Sequence, residues 1–343
     1  MAILITIIAF GLMISIHEFG HFIAAKRFGV LVHEFSIGMG PKLFSKKGKE
    51  TTYSLRLLPI GGYVKLEGEN EIETEAENDN PRAFVNLHPF KRIIILIAGA
   101  FMNILLGFIL YIIININVGV IPSKVADVPA ANPAQETVFQ KGDEIVKLNN
   151  THMNTFEDVS FYMSRYNKDR ISVTLKRDGE VITYDNVKLH KAGSGYMLGV
   201  VFAAEKASFW KSIEYAVYDT AFTAKAVIVS IGDLFTGRLS LDSMSGPVEI
   251  VSVVDTVASS KNRYTFITIL ELIAMITVNL GLFNLFPFPA LDGGSIVFAL
   301  YELITRRKIK SQVVGYASMI GFVLLMLLAV YVTAGDIKAL INK

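Results

Sequence analysis

Four stretches of this 343-residue chain stay apolar for long enough to cross a lipid bilayer, and nothing else in the sequence limits the fold as strongly. A hydrocarbon core of about 30 Å takes roughly 20 helical residues. The stretches are Ala2 to Ala25, Ile93 to Val118, Phe266 to Phe286 and Val313 to Thr333. Backbone polar groups find no water in lipid, so each stretch is expected to be a helix. The second and fourth contain no charged residue. The first carries His17, Glu18 and His21, and the third carries Glu271, Asn279 and Asn284. Ionisable groups inside a membrane helix are costly and usually functional, which singles out the first and third.

Met1 to Ile16 could pass for a secretory leader, but it lacks the cationic start such a leader needs, so a retained helix is expected. Basic residues set the expected orientation. Lys26, Arg27, Arg56, Lys91 and Arg92 are among those between spans one and two, and Arg306, Arg307, Lys308 and Lys310 lie between spans three and four. Both loops should be cytoplasmic, with the chain ends and the segment from about Gly119 to Arg263 outside. That segment is also rich in lysine, but long loops translocate largely regardless of charge.

Lys plus Arg (33) nearly balances Asp plus Glu (31), so the charge gives no sign of a nucleic-acid partner. The absence of cysteine excludes disulfides, thiolate ligands and cysteine nucleophiles. Any metal has to be held by histidine and carboxylate.

Four regions follow. Residues 1–118 hold spans one and two with a strand-like loop, in which Tyr53 to Leu57 alternates before Pro59-Ile60-Gly61-Gly62-Tyr63-Val64 brings in turn residues. Glu69 to Asn80 is an acidic stretch expected to be a solvated loop. Residues 119–203 hold a small α/β module with Gly142-Asp143 and Asp178-Gly179 turns and a helix at Thr155 to Tyr166. Residues 204–263 are expected to lie along the interface, because Lys211, Glu214, Asp219, Lys225 and Asp233 recur through the apolar Ser208 to Phe235. Residues 264–343 hold spans three and four.

The chemistry is concentrated in His17-Glu18-Phe19-Gly20-His21. Histidines four apart on a helix share one face, one turn apart, and can hold one zinc ion. Glu18, beside the first, can take a proton from a water molecule that the ion has acidified. A chance pairing or a helix contact is the competing reading, but three ionisable groups at the end of an apolar span each need compensation. A catalytic zinc commonly has three protein ligands. Asp292, just after span three, falls at the same membrane depth as the histidines. It could be the third ligand or the N-cap of a helix beginning near Ser295. His33, His88, His152 and His190 lie in loops or the α/β module, where surface roles are the default, with His33 able to approach the site.

The His17 to His21 motif, Phe35-Ser-Ile-Gly-Met-Gly-Pro41, Gly61-Gly-Tyr-Val-Lys-Leu-Glu-Gly68, Asn279-Leu-Gly-Leu-Phe-Asn284 and Pro287-Phe-Pro-Ala-Leu-Asp-Gly-Gly294 together resemble the site-2 protease family of intramembrane zinc proteases. The similarity covers nearly the whole chain and is closest to the bacterial branch that includes the regulator of sigma-E protease. It implies zinc bound by His17, His21 and Asp292, Glu18 as catalytic base, and Asn284 engaging the substrate backbone. Lys141-Gly-Asp-Glu-Ile145 resembles the PDZ domain of such proteases, although Pro133 to Gln140 departs from the usual approach to its Gly-Asp turn. Ala98-Gly99-Ala100 has alanine where the family commonly has proline, and Ser295 stands where many members have histidine or arginine.

The expected protein is thus an α-helical polytopic membrane protein with four transmembrane helices, a membrane-associated β loop and an inserted α/β PDZ-like domain. Its partners would be the lipid bilayer and the transmembrane segments of single-span proteins, such as anti-sigma factors or remnant signal peptides. The loop bearing Gly61, Gly62 and Tyr63 is suited to pairing with an extended substrate. A bacterial inner membrane is the expected location, with the active site toward the cytoplasm and the oligomeric state open. Two rivals are a catalytically silent PDZ-type scaffold and a transporter. The second should show inverted repeats, which four spans around a large insertion do not suggest.

Overall fold

Every apolar stretch is helical in the computed structural model, which describes residues 2–69, 80–129, 138–193, 195–240, 246–260, 262 and 264–341. Most of the acidic stretch (70–79) and much of the approach to the Gly142 turn (133–137) lie outside the described residues. The chain forms two compact units, residues 1–107 with 224–343, and residues 108–223.

The first unit begins with helix α1 (Ala2–Arg27), whose last turn carries Lys26 and Arg27, the favourable sign for a helix C-terminus. Strands β1 (Val32–Lys47) and β2 (Thr52–Leu66) form a long antiparallel hairpin. Its register shifts repeatedly between Val32 and Phe44, as expected where glycine and proline interrupt alternation. Helix α2 (Pro89–Val118) follows and continues into the second unit. Ala25, Val30, Val32, Val64, Leu66, Phe84, Ile95 and Leu96 make one buried cluster that joins α1, the hairpin and α2. Burial of one such aliphatic side chain contributes about 1.5–3 kcal/mol in water.

Within the hairpin, partial burial pushes the Glu34 carboxyl up, but Ser54, Arg56, Lys42 and Tyr63 hold it down to about 2. The Ser54 hydroxyl donates at 2.6 Å and the Arg56 guanidinium at 2.9 Å. Pinning β1 to β2 at this point steadies the strand that runs past the histidines.

The second unit holds strands β3 (Val125–Asp127), β4 (Glu144–Leu148), β5 (Thr151–His152), β6 (Arg170–Arg177), β7 (Glu180–Lys188), β8 (His190–Ala192), β9 (Gly195–Met197) and β10 (Val201–Phe202). Its four-stranded sheet runs β5-β4-β6-β7, and β10 pairs with β3. Asp178 and Gly179 both take positive φ (51° and 91°), which is what a two-residue hairpin turn between β6 and β7 demands. Helix α3 (Phe156–Ser164) is capped by Thr155, whose side chain accepts the Asp158 N–H. Phe139, Ile145, Leu148, Val173 and Leu175 form the centre of the core. At the Gly142-Asp143 turn, buried Asp143 meets Arg177 in two 2.7 Å hydrogen bonds and accepts the Gln140 N–H at 2.7 Å. Helix α4 (Phe209–Phe235) starts in this unit, where Asp219 accepts the Asn115 amide of α2 at 2.8 Å.

Within residues 204–263, α4 coincides with the Ser208 to Phe235 stretch, and a second helix follows it. After α4 comes α5 (Pro247–Ser259), opened by proline at a position that needs no N–H. The carboxylate of Asp336 accepts the N–H groups of Gly246, Val248 and Glu249 at 3.0–3.1 Å and so caps α5 from another helix. That long-range cap has no local sequence signature.

Helices α6 (Thr265–Asn284), α7 (Asp292–Thr305) and α8 (Ser311–Ile341) complete the first unit. Among the described residues, α1, α2, α6 and the Gln312–Ala339 part of α8 are long and apolar enough to cross a membrane. α4 is not one of them. The exposed surfaces of these helices are themselves apolar, as at Leu4, Ile8 and Leu12 of α1 and Phe322, Leu327 and Val330 of α8. Such faces suit lipid rather than water as solvent.

Candidate metal centre and its surroundings

His17 and His21 lie one turn apart on the buried side of α1. Their Nε2 atoms approach to 3.0 Å. Asp292 Oδ2, from the first residue of α7, is 3.0 Å from His17 Nε2 and 3.3 Å from His21 Nε2. The three atoms form a nearly equilateral triangle. Ligands about 2.0–2.1 Å from a tetrahedral zinc stand roughly 3.3 Å apart, so this triangle is one face of such a shell.

Two further observations test the fit. Asp292 Oδ2 is buried with no hydrogen bond of normal geometry among the described residues, an arrangement that calls for a cation. His21 Nδ1 lies 2.8 Å from the Ile95 carbonyl of α2. With the proton on Nδ1 donated to that oxygen, the Nε2 lone pair is directed into the triangle, the usual device for orienting a metal-binding imidazole. The residues present therefore suit zinc. Among the described residues, His17, His21 and Asp292 are the one group of three whose ligand atoms converge in this way.

The capping alternative for Asp292 does not hold. The helix starts at Asp292 itself, three residues before Ser295, with Leu291 as its N-cap and no side-chain cap hydrogen bond. A Cβ on Gly293 would fall 2.1 Å from the Phe286 carbonyl oxygen, so the chain returning from α6 closes tightly on the start of α7. This fold-back brings Asp292 up to α1.

Glu18 is half-buried, and its Oε2 accepts the Val64 N–H of β2 at 3.1 Å. The hairpin thus holds the candidate base. Asn284, at the end of α6, places Nδ2 3.3 Å from His17 Nε2 and 3.5 Å from Nδ1. Gly61 and Gly62 are buried against α1, where Ser15 Oγ donates to the Gly61 carbonyl at 3.4 Å. Tyr63 is tied elsewhere: its hydroxyl accepts from Arg56 inside the hairpin. His33 pairs with Glu67 rather than with the triangle.

Sequence reasoning missed what α2 contributes. A Cβ on Gly99 would lie 2.4 Å from His21 Nε2 and 2.8 Å from His17 Cε1, and one on Gly20 would lie 2.2 Å from the Ala98 carbonyl oxygen. The two helices cross where both lack side chains, and the imidazoles occupy the space. The small run Ala98-Gly99-Ala100 inside an otherwise bulky span was the available signal.

The model of peptidase family M50, the site-2 protease family, matches residues 5–328. A protein of Clostridium acetobutylicum with a provisional zinc metalloprotease name is 40% identical over 342 residues, 99% of this chain and 98% of its own. Similarly named proteins of Clostridium perfringens and Campylobacter jejuni are 36% and 33% identical, each over at least 98% of this chain and 94% of their own. The chain belongs to peptidase family M50 and is a membrane-embedded zinc metalloprotease.

Proposed function

We propose that this protease cleaves transmembrane segments of single-span membrane proteins at the triangle of His17, His21 and Asp292, with Glu18 as the base. The observation that carries the reading is the position of these groups: they sit within and beside apolar helices, with the base held by a strand edge. A substrate helix satisfies its own backbone, so its carbonyls are shielded until it unwinds. An unwound segment needs an extended partner, and β2 beside α1 is one. This assigns Gly61, Gly62 and Tyr63 to a substrate platform, and Asn284 to holding the substrate backbone beside His17.

Zinc held there supplies Lewis-acid polarisation of the scissile carbonyl and acidifies an attacking water. Glu18 takes the proton of that water and later delivers it to the departing amine. Val64 keeps the carboxylate aimed by donating to one oxygen, which leaves the other for the proton. Asn284 is positioned to steady the carbonyl segment.

The domain division at residues 118, 203 and 263 belongs to the same reading, with residues 119–203 a PDZ-like module that inspects or excludes bulky substrates outside the membrane. The basic loops give an inner-membrane protein whose active site faces the cytoplasm. The experiment is cleavage of a single-span peptide by the purified full chain in detergent. Cleavage within the apolar segment, stopped by a chelator and restored by zinc, is expected. Cleavage only outside that segment would overturn the substrate assignment.

A further inference from the structure

Away from the histidines, a cavity of about 440 Å³ lies where the start of α2 meets the end of α7. Its polar lining is His88, Arg92, Glu302, Arg306, Arg307 and Lys308. Four permanent cations therefore face one carboxylate. That carboxylate is already engaged: Glu302 pairs with Arg92 through one oxygen and accepts the Ile309 N–H at 3.0 Å through the other. The pair is largely buried; Arg92 lines the cavity, and its Nε lies behind that surface, buried with no hydrogen-bond partner among the described residues.

Arg306 adopts the left-handed conformation (φ 57°) and ends α7 by donating its N–H to the Glu302 carbonyl at 2.9 Å. The turn ends the helix there and puts Arg307 and Lys308 on the cavity wall. Neither of these, nor Arg306, has an ion-pair partner among the described residues, and all three are exposed. Three like charges gathered without counter-charges repel one another, so an anion between them would relieve the repulsion.

The surroundings narrow the anion. Pro89, which lines the cavity, is also the first residue of the apolar span α2, so the cavity opens at the depth where hydrocarbon gives way to headgroups. Phe90 and Ile304, next in sequence to lining residues, are 56% and 79% exposed and offer apolar surface beside it. A soluble anion needs no such surface, whereas a phospholipid presents phosphate and acyl chain at this depth together.

We propose that this cavity binds the phosphate of an anionic phospholipid, with Arg306, Arg307 and Lys308 as its donors. The site anchors the joined ends of α2 and α7, and Asp292 begins α7. The full chain in neutral detergent would be titrated separately with phosphatidylglycerol, phosphatidylcholine and inorganic phosphate, and retained lipid read by native mass spectrometry. Wild type should retain phosphatidylglycerol in preference to phosphatidylcholine, with millimolar phosphate unable to displace it. The Arg307→Gln/Lys308→Gln double variant should bind it about thirtyfold more weakly, from the loss of two interfacial cations. Zinc content serves as the folding control. If the double variant loses its zinc, the single variants Arg307→Gln and Lys308→Gln provide the same readout. Equal retention of the two lipids, or equal binding by wild type and zinc-loaded variants, would overturn the proposal. Displacement of the lipid by phosphate would assign the cavity to a soluble anion instead.

Discussion

Glu18→Gln is expected to slow peptide cleavage by about 10²–10⁴-fold, the usual contribution of a positioned general base. The substitution keeps shape and removes only the capacity to hold a proton. A glutamine side-chain oxygen can still accept the Val64 N–H, so the strand and α1 should keep their contact. His17, His21 and Asp292 are untouched, and metal content should match wild type. Cleavage rates measured at equal zinc occupancy separate a lost base from a lost ion. Retention of more than about a tenth of the wild-type rate would remove Glu18 from the role of base.

Gly99→Ala should weaken zinc binding by about 10–100-fold, the loss typical when the support of a metal ligand is disturbed. The added methyl has no room, because its carbon would overlap His21 Nε2 at 2.4 Å and Cε1 at 2.6 Å. These are the proposed ligand atom and its neighbour on a ring already fixed by the Ile95 carbonyl, so the ring cannot move aside without losing that hydrogen bond. Gly107→Ala is the comparison. Its methyl would meet a Val278 methyl at 2.3 Å, in the packing of α2 against α6, and should lower thermal stability while leaving zinc affinity unchanged. Competition against a chromophoric chelator measures both variants. Equal zinc affinity for wild type and Gly99→Ala would show that α2 does not shape the site.

Much of this arrangement could be read from the sequence, and the reasons are physical. Helix length in lipid is set by bilayer thickness, so the four apolar runs marked their helices to within a few residues at most ends. The largest difference is at α8, which continues from Thr333 to Ile341 past its apolar core. The i, i+4 histidine spacing fixed the side of α1 that faces the site, because helical periodicity is local. Asp292 was ambiguous for the same reason. Capping and ligation both begin from an aspartate before glycines, and the difference lies in where α7 packs.

The contacts that were not legible are those between elements distant in sequence. Val64 reaching Glu18, Ile95 reaching His21 and Asp336 capping α5 span 46, 74 and up to 90 residues. Each joins a backbone group to a side chain, and backbone groups have no sequence signature. Helix α5 escaped because its 13 residues fall well short of the roughly 20 that make a membrane span conspicuous, and it lies beyond the Ser208 to Phe235 stretch that α4 occupies. The contact of the Tyr63 hydroxyl with Arg56 was not legible either, because strict alternation puts residues seven apart on opposite faces of β2, and the register shifts of the hairpin that bring them together have no simple sequence pattern.

The central claim is that His17, His21 and Asp292 hold one zinc ion for which Glu18 is base and not ligand. The most direct test is zinc per chain by elemental analysis of the purified full-length wild type, His17→Ala, Asp292→Ala and Glu18→Gln. About one zinc is expected in wild type and Glu18→Gln, and almost none in the two ligand variants, since a three-ligand site does not survive loss of one. Wild-type zinc in Asp292→Ala, or loss of zinc in Glu18→Gln, would contradict the assignment.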